Sequence, residues 1–277
     1  MDRRRSERLI VTRVAGGAGE RVTSRRPDDL IVEEPMSIQL DGTLVSTTMR
    51  TPGHDYELAA GFCLTEGLLG DVPIVGVRYC ADGSATDTEF NVVTVETDGR
   101  APAPTPRLGN VSSSCGWCGS EQLDELCERL DPLEQRIEPL DLDLIAAIPD
   151  VVLGGQGLFA TTGAVHAAAA FDADGTVVVT REDVGRHNAV DKVIGALLLD
   201  RPARVPAHDL GLFVSGRASI EMVQKAWAAG FHTLVAVSAP TALAVDAARR
   251  ANLVLAGFVR GDEFNVYAPE HPRTAPS

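Results

Sequence analysis

The tightest constraint on the fold is a run of alternating units between residues 210 and 259. Leu210–Val214, Thr233–Val237 and Leu253–Val259 are short, continuous apolar stretches, the pattern of strands buried on both faces. Ala218–Ala229 and Ala242–Arg250 lie between them and read as helices. A strand that rejoins its sheet through a single helix does so with a right-handed crossover, so these strands should be parallel. Just upstream, His166–Phe171 and Thr176–Thr180 flank a turn over Asp172 to Gly175, and Asn188–Leu199 reads as another helix. The second half is therefore expected to be α/β, with a parallel run and a hairpin in a mixed sheet.

The first half has a different pattern. Leu30–Val32 and Ser37–Leu40 read as strands, Asp41-Gly42 as a hairpin turn and Thr43–Met49 as the return strand. Asp55–Leu69 reads as a helix, and Ile74–Tyr79 and Glu89–Glu96 alternate like strands. Residues 1–25 read as a flexible start in which Leu9–Val14 could form a strand. The stretch from Asp98 to Pro106 holds three Pro and one Gly and is the best linker in the chain. The expected division is a β-rich part with one helix over 1–105 and an α/β part over 106–277.

Loops that follow the strands of a parallel sheet emerge on one edge, where ligands bind. Here they are Ser215-Gly216-Arg217, Ser238-Ala239-Pro240-Thr241 and Arg260-Gly261-Asp262, and Arg181 to His187 opens the helix after Thr180. Small residues let a ligand approach the backbone, helix N-termini offer N–H groups, and Arg supplies bidentate charge. The formal net charge is −14, and residues 1–30 carry a net of +3, leaving −17 for the rest. Arg186, Arg217 and Arg260 converging on one edge of so acidic a body point to a phosphate or pyrophosphate site. The same acidity argues against general nucleic-acid binding.

No run approaches 18 apolar residues, so no membrane span is expected. Arg13 interrupts the apolar run after Leu9, no signal-peptide core follows, and a cytoplasmic chain is expected. Five Cys in such a chain argue against a disulfide framework. Cys63, Cys80 and Cys127 fall within expected helices or strands and read as small buried hydrophobes.

Cys115 and Cys118 are different. They form a CxxC inside Ser112-Ser113-Ser114-Cys115-Gly116-Trp117-Cys118-Gly119, ahead of an amphipathic helix with Leu123, Leu126, Cys127 and Leu130 on one face and Ser120 as its expected N-cap. A helix N-terminus lowers a thiol pKa, and the thiolate is the nucleophile. Inert thiols or half a zinc site are the plainer alternatives. Zinc needs about four ligands, and no second CxxC supplies the rest. The polar stretch Arg181-Glu182-Asp183-Val184-Gly185-Arg186-His187-Asn188 is too dense for a merely solvated helix start, whereas His166, beside four Ala, reads equally as a core histidine.

Together these stretches resemble the FdhD/NarQ family of formate dehydrogenase accessory proteins. The matching segments include EEPMSIQLDG, MRTPGHDYELAAGFCLTEGLL, SSSCGWCG, TTGAVHAAAAF, REDVGRHNAVDKVIGALL, VSGRASIEMVQKAWAAG, AVSAPTALAVDAA and LAGFVRGDEFNVY, in order from Glu33 to Tyr267. The resemblance implies a cytidine-deaminase-like three-layer α/β/α core with a mixed sheet, preceded by a smaller β-rich α+β subdomain, and a homodimer. It implies a sulfurtransferase that accepts sulfur from a cysteine desulfurase as a persulfide and passes it to the molybdenum of Mo-bis(molybdopterin guanine dinucleotide) before insertion into formate dehydrogenase. The persulfide cysteine would be Cys115, with Cys118 as partner. The guanine nucleotide of the cofactor would bind along Phe258, Val259, Arg260, Gly261, Asp262 and Glu263, with Ser215, Gly216, Arg217 and Arg186 adjoining. Family members often carry basic residues where Asp262 and Glu263 stand, and two carboxylates would repel a phosphate unless they point away.

No resident metal is expected. Zinc deaminases need H-x-E and P-C-x-x-C at successive helix starts. The equivalent positions here read Arg186-His187-Asn188 and Ser215-Gly216-Arg217. Two other classes fit the CxxC: a dithiol oxidoreductase and a chaperone that binds the cofactor without sulfur chemistry.

Overall fold

The computed structural model describes residues 4–80, 85–86, 88–103, 119–135 and 140–274. The Arg-rich start is an ordered hairpin rather than a flexible segment. Strands β1 (Ser6–Ala15) and β2 (Val22–Ile31) pair along their length as a two-stranded antiparallel sheet, and Arg8 grips Asp29 across it with bonds of 2.9 and 2.8 Å. Both faces are largely exposed, which removes the alternation of burial by which a sequence announces strands.

β3 (Glu34–Leu40) and β4 (Thr43–Arg50) form the expected hairpin. Asp41 and Gly42 both have positive φ, 47° and 84°, the requirement of the two-residue turn that matches strand twist. Helix α1 (Asp55–Thr65) stops four residues before the expected end, and Gly67 follows at a φ of 71°. β5 (Gly76–Tyr79) and β6 (Val92–Glu96) complete a sheet ordered β4-β3-β6-β5. Leu58, Ala59 and Cys63 of α1 pack on Met36, Ile38, Val93 and Val95 of that sheet.

The second half opens with α2 (Gly119–Arg129), α3 (Leu142–Leu153) and α4 (Gly157–Thr162). Ser120 falls within α2, one residue after the helix start. β7 (His166–Phe171), β8 (Val177–Asp183), α5 (Arg186–Asp200), β9 (Gly211–Val214), α6 (Ile220–Ala228), β10 (Thr233–Ala236), α7 (Ala242–Arg250), β11 (Val254–Arg260) and β12 (Glu263–Ala268) follow. The sheet runs β12-β11-β10-β9-β7-β8. β9, β10 and β11 are parallel, as the crossover argument requires. β7 is antiparallel to both β8 and β9, and β12 is antiparallel to β11. The strand period of two sorts side chains into two cores. Leu212, Val214, Leu234 and Ala236 face the layer containing α5, α6 and α7, whereas Phe213, Val235 and Ala256 face α3. The result is the expected three-layer α/β/α arrangement.

Helices α1 and α5 join the two halves through an unusually close contact. A methyl group added to Gly61 would lie 1.9 Å from the carbonyl oxygen of Asp191, and one added to Gly195 would lie 1.8 Å from that of Glu57. Around this contact sit the chain's only two lysines, both buried and paired. Lys192 meets Asp183 at 2.6 Å, and Lys225 meets Asp191 at 2.9 Å.

Candidate functional site

The directions of the strands decide which loops share an edge. β8 runs parallel to β9, because β7 is antiparallel to both. The C-terminal ends of β8, β9, β10 and β11 therefore open on one edge, and the junction from Arg181 to His187 joins the other three loops there. At this edge Gly216 lies beside His166 and Arg186. A methyl group added to Gly216 would stand 3.5 Å from Nδ1 of His166 and 3.7 Å from Cδ of Arg186.

A cavity of about 550 Å³ opens here. Its sheet side is formed by His166, Ser215, Val237, Val259, Arg260 and Gly261, and its helical side by Asp150, Leu153, Gln156 and Phe159. That volume falls in the range of small-molecule and cofactor sites. A second cavity of about 590 Å³ lies at the opposite edge, around Phe171, Gly211, His208 and His232, away from the loops that follow the strands.

Several devices shape the site. β11 leaves regular pairing between Gly257 and Arg260, and inside that irregularity Phe258 has a φ of 57°. A bulky residue in the left-handed region is an outlier that the surroundings must hold, and bulges of this kind re-aim side chains beside functional sites. Here the N–H of Phe258 donates to the carbonyl of Ser238 at 3.2 Å, and Nε of Arg260 donates to the carbonyl of Val237 at 3.3 Å. The bulge thus ties β11 to the loop after β10 and sets Arg260 on the cavity wall. Phe258 itself stays 46% exposed.

Ser215 lines the cavity, but its hydroxyl accepts from the N–H of Ala167 at 2.9 Å, so it also fastens β9 to β7. Arg217 is exposed beside the cavity rather than in its wall. Asp262 lies in the turn after β11 and Glu263 begins β12; both are exposed, and neither contributes to the wall.

Burial, then the charge of Arg186, lowers the pKa of His166, while Asp183 opposes the shift. Its ring is mainly neutral at pH 7 and offers a hydrogen bond rather than a charge. His187 is pushed down to about 4 by burial, then by Arg186 and Lys225. Nε of Arg186 and Nε2 of His187 are buried without a hydrogen-bond partner. Buried polar atoms are rarely left so, and a ligand or water is the usual partner.

The rest of the polar stretch after β8 is structural. Asp183 accepts from the N–H of Thr51 at 3.1 Å, from that of Gly185 at 2.8 Å and from Nδ2 of Asn188 at 3.0 Å, beside its ion pair with Lys192. Asn188 also donates to the carbonyl of Met49 at 2.8 Å, and Lys192 to that of Thr51 at 2.8 Å. These residues hold the end of β4 against the start of α5.

A model of the FdhD/NarQ family matches residues 31–273. The chain belongs to the FdhD/NarQ family. The sulfur carrier protein FdhD of Nocardia farcinica is 47% identical over 252 residues, covering 89% of this chain and 88% of that protein. The protein of the same name from Streptomyces avermitilis is 45% identical over 276 residues, covering 96% and 95%. The crystal structure of a protein assigned as a formate dehydrogenase accessory protein from Desulfotalea psychrophila superposes with a TM-score of 0.74 at 24% identity, covering 97% of this chain and 99% of that one. At that identity the likeness speaks to the fold alone.

Of the segments that carry the FdhD/NarQ resemblance, VSGRAS and GFVRGDEF end β9 and β11 at the cavity edge. Cys115 and Cys118 lie outside the described residues, which resume at Gly119. Cys63 and Cys127 are free thiols, and burial pushes the Cys63 thiol up to about 12, the inert state expected of it. Cys80 is likewise buried, whereas Cys127 is half-buried. No group of three or more metal-ligating side chains occurs among the described residues, and no described helix is long and apolar enough to cross a membrane. Sequence reasoning missed the helical side of the cavity. Asp150 belongs to α3 and Phe159 to α4, Gln156 is the N-cap residue of α4, and Pro149 and Gly157 break the helical pattern of this stretch in the sequence.

Proposed function

We propose that the chain is a sulfur carrier that serves formate dehydrogenase by sulfurating its molybdenum cofactor. A cysteine desulfurase presents a persulfide. The thiolate of Cys115 attacks its outer sulfur, the desulfurase leaves as a thiolate, and Cys115 holds the sulfur as a persulfide. When the thiolate of Cys118 attacks the inner sulfur, hydrosulfide departs and a Cys115–Cys118 disulfide remains, the two thiols supplying both electrons. The recipient is Mo-bis(molybdopterin guanine dinucleotide), docked by one guanine nucleotide at the strand-end edge.

The observation that carries this reading is the cavity at that edge. It has room for a nucleotide, Arg260 in its wall and the unsatisfied Nε of Arg186 nearby. A guanidinium suits a pyrophosphate, which it can grip with paired charge-assisted bonds. The relatives named sulfur carrier protein FdhD support the sulfur half of the proposal.

The test is the intact mass of the purified protein after incubation with a cysteine desulfurase and cysteine. A reducible gain of about 32 Da, one sulfur, is expected in the wild type. It should vanish in Cys115→Ala and persist in Cys118→Ala. A wild type that binds GDP but gains no sulfur would be a chaperone instead.

A further inference from the structure

The N-terminal hairpin is a sheet of its own: among the described residues the ladders of β1 and β2 join only each other. A pair of strands standing alone is marginal in water, and three or more normally share the load. Leu9, Ile10 and Val14 nevertheless stand exposed on β1, Ile10 to the extent of 58%. Each strand also has an outer edge outside any ladder, and such an edge is a template for another strand.

The two edges are not alike. The N–H of Val32 donates to the carbonyl of Arg5 at 2.8 Å, which makes Arg5 and Val32 a hydrogen-bonded pair. The register runs unbroken from there to Ala15 opposite Val22, and bonded and non-bonded pairs alternate along an antiparallel ladder. Ser6 with Ile31, Arg8 with Asp29, Ile10 with Pro27, Thr12 with Arg25 and Val14 with Thr23 are therefore non-bonded pairs, whose N–H and C=O groups face outward. On β2 that outward row contains Pro27, which has no N–H to offer, so the edge is blocked in its middle. On β1 the row is Ser6, Arg8, Ile10, Thr12 and Val14, with every donor and acceptor present.

The sequence of β1 complements itself when reversed. With a second copy antiparallel and Ile10 on a two-fold axis, the outward-facing residues meet one another: Ser6 with Val14, Arg8 with Thr12, Ile10 with its own copy. The new ladder is then fully bonded. Between those pairs Glu7 meets Arg13 and Leu9 meets Val11, each twice by symmetry. An axis at Arg8 would face Arg8 with itself, one at Leu9 would set Arg5 against Arg13, and one at Val11 would leave Glu7 opposite Ala15. Of these axes only the one at Ile10 sets opposite charges together. We infer that the outer edge of β1 joins the same edge of a second copy in this register, so that two hairpins form one sheet ordered β2-β1-β1-β2. The contact is isologous, with the same patch on both copies. The FdhD/NarQ resemblance implies two copies but no surface between them. The surface and its register are what is inferred, independently of the sulfur and nucleotide chemistry proposed above.

Sedimentation velocity of the full chain over a range of concentrations tests it. The wild type should sediment as a dimer. Glu7→Arg places Arg against Arg twice across the axis and should weaken the dimer roughly tenfold or more. Adding Arg13→Glu restores opposite charges and should recover the wild-type affinity. Ile10→Pro leaves the ladder between β1 and β2 whole, as Pro27 does, but blocks the outer edge, and should give a monomer. Ile10→Cys reads the register. Opposite Cα atoms of a bonded pair stand about 5.5 Å apart, within disulfide reach, so a mild oxidant should link residue 10 of one copy to residue 10 of the other. Arg8→Cys, displaced along the strand from its own symmetry mate, should give no such link. A wild type that is monomeric at every concentration overturns the inference, and co-sedimentation of that monomer with phosphatidylglycerol vesicles would assign the hairpin to a lipid surface instead. A dimer unchanged by both Glu7→Arg and Ile10→Pro also overturns it, because the copies then meet elsewhere.

Discussion

Asp183 and Lys192 form an ion pair of 2.6 Å with both side chains out of solvent, and Thr51 from the first half of the chain bonds to each of them. Burial lowers the pKa of Lys192, and the charge of Asp183 pulls it back up. Removing one partner leaves an uncompensated charge in the core, which costs about 3–5 kcal/mol. Lys192→Met and Asp183→Ala should each lower the unfolding free energy in urea by that much. The loss in Asp183→Ala should be the larger, because three further donors are left without their acceptor. A change under about 1 kcal/mol in either variant would show that water already reaches the pair.

The α1–α5 contact should tolerate no side chain. A methyl group at Gly61 or Gly195 would stand within 2 Å of a carbonyl oxygen on the facing helix. No rotamer relieves a clash between a β-carbon and backbone, so the helices must separate and strip packing from both sides. Gly195→Ala should cost about 3 kcal/mol or more, at or beyond the upper end of overpacking penalties. Gly216→Ala is the control, since its new methyl would stand at ordinary van der Waals distance from His166 and Arg186. Thermal unfolding of the two variants should separate them clearly.

The parallel core was legible because three apolar runs and two amphipathic stretches carry both periods openly, and the edge followed from strand direction alone. The first hairpin was hidden for the opposite reason. Leu9, Ile10, Val14, Val22 and Leu30 are all more than 40% exposed, so neither face of it carries a continuous apolar pattern. α3 was hidden by Pro149, which usually ends a helix, and α4 by its length of six residues. Arg260 and Gly261 were therefore foreseeable at the site, while the opposing wall was not. The polar stretch after β8 was recognised as unusual, but only its bonds to Met49 and Thr51 reveal that it fastens the two halves, because those partners lie more than 130 residues away.

His187 should make stability fall in mild acid. Its native pKa of about 4 lies below the ordinary 6.5, owing first to burial and then to the charges of Arg186 and Lys225. Between those values the unfolded chain binds a proton that the native chain refuses. The contribution is therefore fully present above pH 6.5 and is lost as the pH falls toward 4, by at most about 3 kcal/mol. His187→Gln keeps a polar side chain but removes the titration. Unfolding by urea at pH 7 and pH 5 should show a smaller drop in the variant, and equal drops would mean that the ring protonates freely in the native state.

The two carboxylates after Arg260 should matter little to nucleotide binding. Asp262, in the turn after β11, and Glu263, at the start of β12, are exposed and outside the cavity wall, so their repulsion of a phosphate acts through water and is screened over about 8 Å at physiological salt. Arg260 is in the wall, with its Nε oriented by the carbonyl of Val237 at 3.3 Å, which leaves the terminal nitrogens of the guanidinium to the ligand. A charge-assisted bond removed there is worth about 1.5–3 kcal/mol. The double variant Asp262→Asn, Glu263→Gln should thus raise GDP affinity by less than roughly threefold, and that gain should shrink as salt is added. Arg260→Ala should weaken binding by roughly tenfold or more at every salt concentration. A large gain in the double variant would mean that the turn folds over the bound phosphate, with the carboxylates then facing it directly.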